Sequence, residues 1–217
     1  MLSLNLDRAL GRRGTLLALG AHSDDIEIGC GGTILSLLRR HPSLRVWWVV
    51  LGAAGTRAAE AEASARDFLR GAAVGRVIVK GFRDGFLPYT GVEVKEFFEE
   101  LKRTASPDLI LTHQMNDRHQ DHRLTCDLTW NTFRNHLILE YEVPKYDGDM
   151  GAPNLYMPVD ARTAERKVSL LMRHFGTQRS KHWFDRETFL GLMRLRGLEC
   201  GSRGRYAEAF YARKVLL

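Results

Sequence analysis

Four apolar runs of strand length, each followed by a helix-forming stretch, constrain this chain more than any other feature of its 217 residues. They are TLLALGA (Thr15 to Ala21), RVWWVVLG (Arg45 to Gly52), GRVIVKG (Gly75 to Gly81) and DLILTH (Asp108 to His113). Between them lie TILSLLRRH, TRAAEAEASARDFLRGA and EVKEFFEELKRTA, and after the fourth comes HRLTCDLTWNTFRNHL. In the third of these helical stretches Val94, Phe97, Phe98 and Leu101 recur at helical spacing. A continuous apolar strand is buried on both faces, and strands separated by helices of this length form βαβ units. The pattern predicts an α/β fold with a mostly parallel sheet flanked by helices on both faces. The second half is less regular. HLILEYEVPKYDGDMGAPNLYMPV has strand-like ends around a Gly/Pro/Asp loop, ARTAERKVSLLMRHF and DRETFLGLMRLRG read as helices, and EAFYARKVL as a terminal strand.

Nothing divides this pattern: no linker, repeat or low-complexity segment interrupts it, so residues 1–217 are expected to form one domain. With 44% hydrophobic and 27% charged residues the composition is that of a globular protein. No apolar stretch approaches the roughly 20 residues of a transmembrane helix, and MLSLNLDRALGRRG lacks the apolar core of a secretion signal. Cys30, Cys126 and Cys200 are an odd set without CxxC spacing. That argues against a disulfide framework and for a reducing, cytoplasmic location. The formal charge of +6 favours anionic partners, but no basic run interleaved with aromatics supports nucleic-acid binding. A phosphate-bearing small substrate fits the charge as well.

The polar residues cluster where the strands end. His22, Ser23, Asp24 and Asp25 follow the first, GAAGTR the second, GFRDGF the third and HQMNDRHQDH the fourth. In open α/β sheets ligands bind outside the carboxyl ends of the strands, so these residues are expected on one rim. His22 and Asp25, with one histidine from His119, Asp121 and His122, make a plausible catalytic zinc set with an open fourth position. Zinc lowers the pKa of a bound water to about 7 and polarises a carbonyl. Asp24 is placed to take the water's proton, His119 to face a developing oxyanion, and Asp121 to hold a histidine from behind. Taken singly, HSDD also reads as a helix cap and HQDH as a solvated helix start. It is their occurrence together, at two strand ends, that favours the metal.

AHSDDIEIGCGGT with a downstream HQDH resembles the LmbE/PIG-L family of zinc-dependent N-deacetylases, whose usual motifs are AHPDDE and HxDH. YAEAFYARKV near the end is also similar to family sequences. The resemblance implies a Rossmann-like fold and removal of an N-acetyl group from an N-acetylglucosamine-type amino sugar or glycoconjugate. It makes His22, Asp25 and His122 the metal ligands, with zinc as cofactor and other divalent metals such as iron allowed by the donor set. It makes Asp24 the general base and His119 the oxyanion-stabilising acid, with Asp121 modulating the pair. Arg57 and Asp84 resemble substrate-contacting positions, although a helix-start salt bridge and a turn explain them equally. Two departures stand out: Ser23 replaces the usual proline, and the acid that usually follows the second aspartate is displaced to Glu27.

GCGGT lacks both GxGxxG and GxxxxGK[ST], so its glycines are expected to serve close helix packing rather than a phosphate loop. The rival it leaves is a Rossmann-type transferase using a nucleotide or S-adenosylmethionine. Tyr146 and Asp147 belong to a lid or an ordinary loop, and SKHW to a surface loop; His136, His174 and His182 are not expected as ligands. A homo-oligomer is allowed, with exposed aromatics in RVWWVV or in the C-terminal half as a candidate interface.

Overall fold

The computed structural model describes residues 3–11, 13–72 and 74–215. The first half alternates as read. A short helix α1 (Leu6–Leu10) precedes β1 (Thr15–His22), α2 (Asp25–Arg40), β2 (Arg45–Gly52), α3 (Thr56–Phe68) and β3 (Val74–Val79). A single 3-10 turn (Leu87–Thr90) leads into α4 (Gly91–Thr104), β4 (Leu109–His113) and α5 (Gln120–Thr132). The second half contains β5 (Leu137–Tyr141), β6 (Leu155–Val159), α6 (Ala161–His174), α7 (Arg186–Glu199) and β7 (Tyr206–Tyr211). The expected terminal strand from Glu208 therefore starts two residues earlier and stops at Tyr211; Leu216 lies outside the described residues.

The strands form one seven-stranded sheet in the order β3-β2-β1-β4-β5-β7-β6. All pairings from β3 to β5 are parallel, while β7 runs antiparallel to both β5 and β6. This is a Rossmann-like sheet whose strand order reverses between β1 and β4. Alternation along β1 divides the core. Leu16 and Ala18 join Trp48 with residues of α2, α3, α6 and α7, whereas Leu17, Leu19 and Ala21 meet Val94, Phe98 and Leu101 of α4 and Leu128 of α5. The RVWWVV aromatics are not an exposed interface: Trp48 is fully buried against Phe68, and the half-buried Trp47 lies beneath the Arg76 guanidinium. β2 is an interior strand, so alternate residues must face one or the other helical layer. No helix among the described residues is long and apolar enough to cross a membrane.

The glycines of GCGGT sit inside α2 and are buried. A Cβ on Gly29 would stand 2.1 Å from the Tyr141 ring, and one on Gly32 would stand 3.0 Å from Glu208 Oε1. Their absence lets two side chains reach the helix backbone. Glu208 of β7 accepts the N–H groups of Gly32 at 2.8 Å and Thr33 at 2.6 Å. Buried Lys167 of α6 donates to Glu208 Oε1 and to the Ile28 carbonyl, both at 2.6 Å. With those amides taken and the segment buried in a helix, GCGGT forms no phosphate cradle.

Candidate active site

The pairing between β1 and β4 is registered only as far as Ala18 and Leu111, and beyond it the strands part at the point where strand order reverses. Side chains then satisfy the freed backbone groups, as buried amides require. The Ala21 N–H donates to His113 Nε2 at 3.0 Å, and the Tyr141 hydroxyl donates to the Leu19 carbonyl at 2.6 Å. The crevice so opened is the ligand position expected for such a sheet. β1 delivers His22 to it, and the turn into α2 adds Ser23, Asp24 and Asp25; all four are buried. The loop after β4 adds Asp117 and His119, and the first turn of α5 adds Asp121 and His122.

Three donor atoms meet there. His22 Nδ1 lies 3.1 Å from His122 Nε2 and 3.3 Å from Asp25 Oδ2, and His122 Nε2 lies 3.4 Å from the same oxygen. The opposite nitrogen of each ring has an acceptor. His22 Nε2 faces Asp121 Oδ2 and Asp84 Oδ1, both at 3.1 Å, and His122 Nδ1 faces Asp117 Oδ2 at 2.8 Å. With those nitrogens donating, two imidazole lone pairs and a carboxylate oxygen point at one another, an arrangement suited to holding a cation. Ligand atoms about 2.0–2.1 Å from a tetrahedral zinc stand roughly 3.3 Å apart, so the donor set and its spacing fit such an ion. Burial opposes ionisation of all three groups, yet Asp25 and the carboxylates behind the rings raise both imidazoles, and the histidines around Asp25 hold its carboxyl well below its usual range. The carboxylates thus give the triangle a negative surrounding that favours a cation.

The remaining expected residues surround this triangle. Burial, reinforced by the charge of Asp25, pushes the Asp24 carboxyl up, while Arg57, His22 and Lys181 pull against it. The Ser23 hydroxyl is 3.4 Å from Asp24 Oδ1 and Arg57 Nη2 is 3.6 Å from it. The His119 ring packs 4.7 Å from both His22 and His122, edge-on to the first and stacked on the second. Its Nδ1 accepts the Asp121 N–H at 3.2 Å, which leaves the proton of the neutral ring on Nε2. Burial and the two neighbouring histidines lower its pKa. Asp121 stands behind His22, its charge also reaches His119, and its carboxylate accepts the N–H groups of Gly85 at 2.7 Å and Leu87 at 3.1 Å. Neighbouring residues in the first turn of α5 leave in different directions, so Asp121 and His122 meet opposite nitrogens of the His22 ring.

Arg57 and Asp84 pair with each other at the mouth, and Asp84 also contacts His22. Half of the Asp84 side chain is exposed, and its hydrogen bond to His22 holds its carboxyl below the usual range. Glu27, the displaced acid, lies away from the triangle: it is fully buried beside Ser64 of α3, and burial pushes its carboxyl well above the usual range. Cys30 is a buried thiol against the Ile26 carbonyl. His174 pairs with Asp67 at 2.9 Å, His136 packs on Phe133, and His182 lies tilted against Tyr146 and hydrogen-bonds its hydroxyl at 2.9 Å, so none of the three joins the centre. SKHW is exposed at Lys181 and His182 as expected, yet it borders the site, because the Lys181 charge reaches Asp24.

Two residues escaped the sequence reading. Asp117 orients His122, and the spacing NDRHQDH placed it close enough to consider. His113 stacks on His122 with ring centroids 3.8 Å apart and lies 3.2 Å from Asp25 Oδ2. Burial and the His122 charge bring its pKa down to about 4. It is therefore a neutral wall behind the centre. Its only sequence signal is its place as the last residue of a buried strand.

Residues 17–133 match the PIG-L family, described as GlcNAc-PI de-N-acetylase. No curated protein sequence matches the chain. Among solved structures, a conserved protein from Thermus thermophilus is similar with a TM-score of 0.73 and 20% identity, over 93% of this chain and 95% of the other. The N,N'-diacetylchitobiose deacetylase from Pyrococcus horikoshii is similar with a TM-score of 0.70 and 20% identity, over 96% and 86%. The 4-carboxy-2-hydroxymuconate hydratase from Pseudomonas putida shares the fold with a TM-score of 0.72 and 15% identity, over 94% and 98%.

Proposed function

From the premise that the chain belongs to the PIG-L family, we propose that it is a metal-dependent hydrolase that removes the acetyl group from an N-acetylated amino sugar or glycoconjugate. The observation that carries this reading is the triangle of His22, Asp25 and His122 donor atoms with a raised, unliganded carboxylate, Asp24, directly beside it. The family match and the deacetylase from Pyrococcus horikoshii support the reaction class. The hydratase neighbour shows that fold alone does not decide it, so the side chains of the site must.

His22, Asp25 and His122 would hold the ion, which we take to be zinc. When bound it would polarise the acetyl carbonyl and acidify water. The chain's own residues do the rest. Asp24 takes a proton from the attacking water as it adds to the carbonyl carbon; its raised pKa brings it nearer the proton it must accept. His119 presents its Nε2 proton to the carbonyl oxygen as charge develops there. The carbon–nitrogen bond then breaks, the proton held by Asp24 passes to the departing amine, and acetate and the free amino sugar result. Asp121 keeps the His22 lone pair aimed inward, as outer partners of metal-binding histidines do. Arg57 and Asp84, at the mouth, are suited to sugar hydroxyls or a phosphate.

Metal content and acetate release, measured on N-acetylglucosamine and a nucleotide-linked N-acetylhexosamine, test the reading. Asp24→Asn should retain metal and lose roughly 10²–10⁴-fold in turnover, the usual contribution of a general base. His122→Ala should lose both metal and turnover. An Asp24→Asn enzyme that keeps most of its activity would refute the assignment.

A further inference from the structure

The loop between β5 and β6 carries a buried cation. The Lys145 side chain is 8% exposed, and its ammonium lies 3.0 Å from Asp117 Oδ1 and 2.5 Å from Asp149 Oδ2. Asp117 is fully buried and already committed on both oxygens. Oδ1 also accepts the His119 N–H at 2.8 Å, and Oδ2 faces His122 Nδ1 at 2.8 Å. Asp149 closes the other end: Oδ2 accepts the Arg118 N–H at 2.7 Å, and its carbonyl accepts Gln114 Nε2 at 3.3 Å.

A surface loop has no need of a buried ammonium, because turn residues and water suffice to satisfy it. This one sits behind the carboxylate that aims His122. Without it Asp117 would keep only one backbone N–H on Oδ1 and the imidazole on Oδ2, and its buried charge would lose its cation, so the carboxylate would be held less firmly. We propose that Lys145 is a positioning residue of the metal centre. It holds Asp117 so that Oδ2 fixes the His122 ring, and a loop outside the sheet rim thereby determines how tightly the ion is held. The inference rests on the reading of His22, Asp25 and His122 as metal ligands.

The test uses the full-length metal-free protein, with zinc affinity measured against a chromophoric chelator and the visible absorption of the Co²⁺ form as a spectroscopic readout. Lys145→Met should weaken zinc binding about 10–100-fold, the usual effect of removing an outer partner of a metal ligand, and should shift the Co²⁺ bands. Lys145→Arg should restore most of the loss. Asp149→Asn, which leaves the Lys145–Asp117 contact in place, should weaken binding clearly less than Lys145→Met. If Lys145→Met does not fold, Lys145→Leu, which likewise leaves Asp117 Oδ1 without the ammonium, takes its place. Wild-type affinity and an unchanged Co²⁺ spectrum in the Lys145 variant would overturn the proposal, as would an equal loss in Asp149→Asn. A wild-type protein that binds neither ion would overturn the metal centre itself, and this inference with it.

Discussion

Gly29→Ala is a sharp test of how the glycine cluster serves the site. The added methyl would stand 2.1 Å from Tyr141 Cδ2 and 2.7 Å from two further ring atoms. Carbon atoms pack at about 3.5–4.0 Å, so the ring must retreat by roughly 1.5 Å. Tyr141 is fully buried, its hydroxyl is held by the Leu19 carbonyl at 2.6 Å, and its ring packs 4.8 Å from that of His113. Overpacking of this kind costs about 1–3 kcal/mol, and a Leu19 carbonyl left without its partner adds about 1–3 kcal/mol. The better helix propensity of alanine returns about 1 kcal/mol. The net loss should be about 1–5 kcal/mol, read by urea unfolding of the metal-free protein. Gly191→Ala on α7 is the control: nothing lies within 4 Å of its added methyl, so it should gain up to about 1 kcal/mol. In a double-mutant cycle, Tyr141→Leu should recover part of the Gly29→Ala loss, since the clash is with the ring. A Gly29→Ala protein as stable as Gly191→Ala, or strict additivity with Tyr141→Leu, would refute the close-packing argument.

Three other outcomes follow from the same geometry. Glu208→Ala should cost about 3–5 kcal/mol in denaturant titration, because it strands the buried Lys167 ammonium and two amides of α2. Asp160 caps α6 by accepting the Thr163 N–H at 2.8 Å, and that bond holds its carboxyl below the usual range. Asp160→Ala should therefore cost about 1 kcal/mol at neutral pH. Since the folded pKa is depressed, the cap is fully present above about pH 4 and fades as pH falls through the folded value, so the two proteins should converge in acid. Zinc at about 1,000 times its dissociation constant should stabilise the protein by about 4 kcal/mol, seen as a higher urea midpoint. The same addition should leave Asp25→Ala and His122→Ala unmoved.

Local signals made much of this molecule legible in its sequence. Strand and helix periodicities are properties of short windows, and they marked β1 to β4 to within two residues and placed a helix after each, although α2 begins eight residues before TILSLLRRH. His22, Asp24 and Asp25 lie on the turn from β1 into α2, and His119, Asp121 and His122 within one turn of the junction between β4 and α5, so each group could be read as a unit. Their meeting followed from a general rule of parallel sheets. What local patterns do not carry is which distant side chain a buried residue finds. Asp121 meeting His22 in particular, His113 closing the gap between parted strands, and Lys145 reaching Asp117 from a loop each depend on long-range packing. So does Glu208, which meets the Gly32 amide across 176 positions of sequence. Composition and spacing determined the elements and the chemistry their ends can offer. The tertiary structure alone decided the partners, because a buried charge is tolerated only where packing brings its complement within a few ångströms, and that depends on the whole fold.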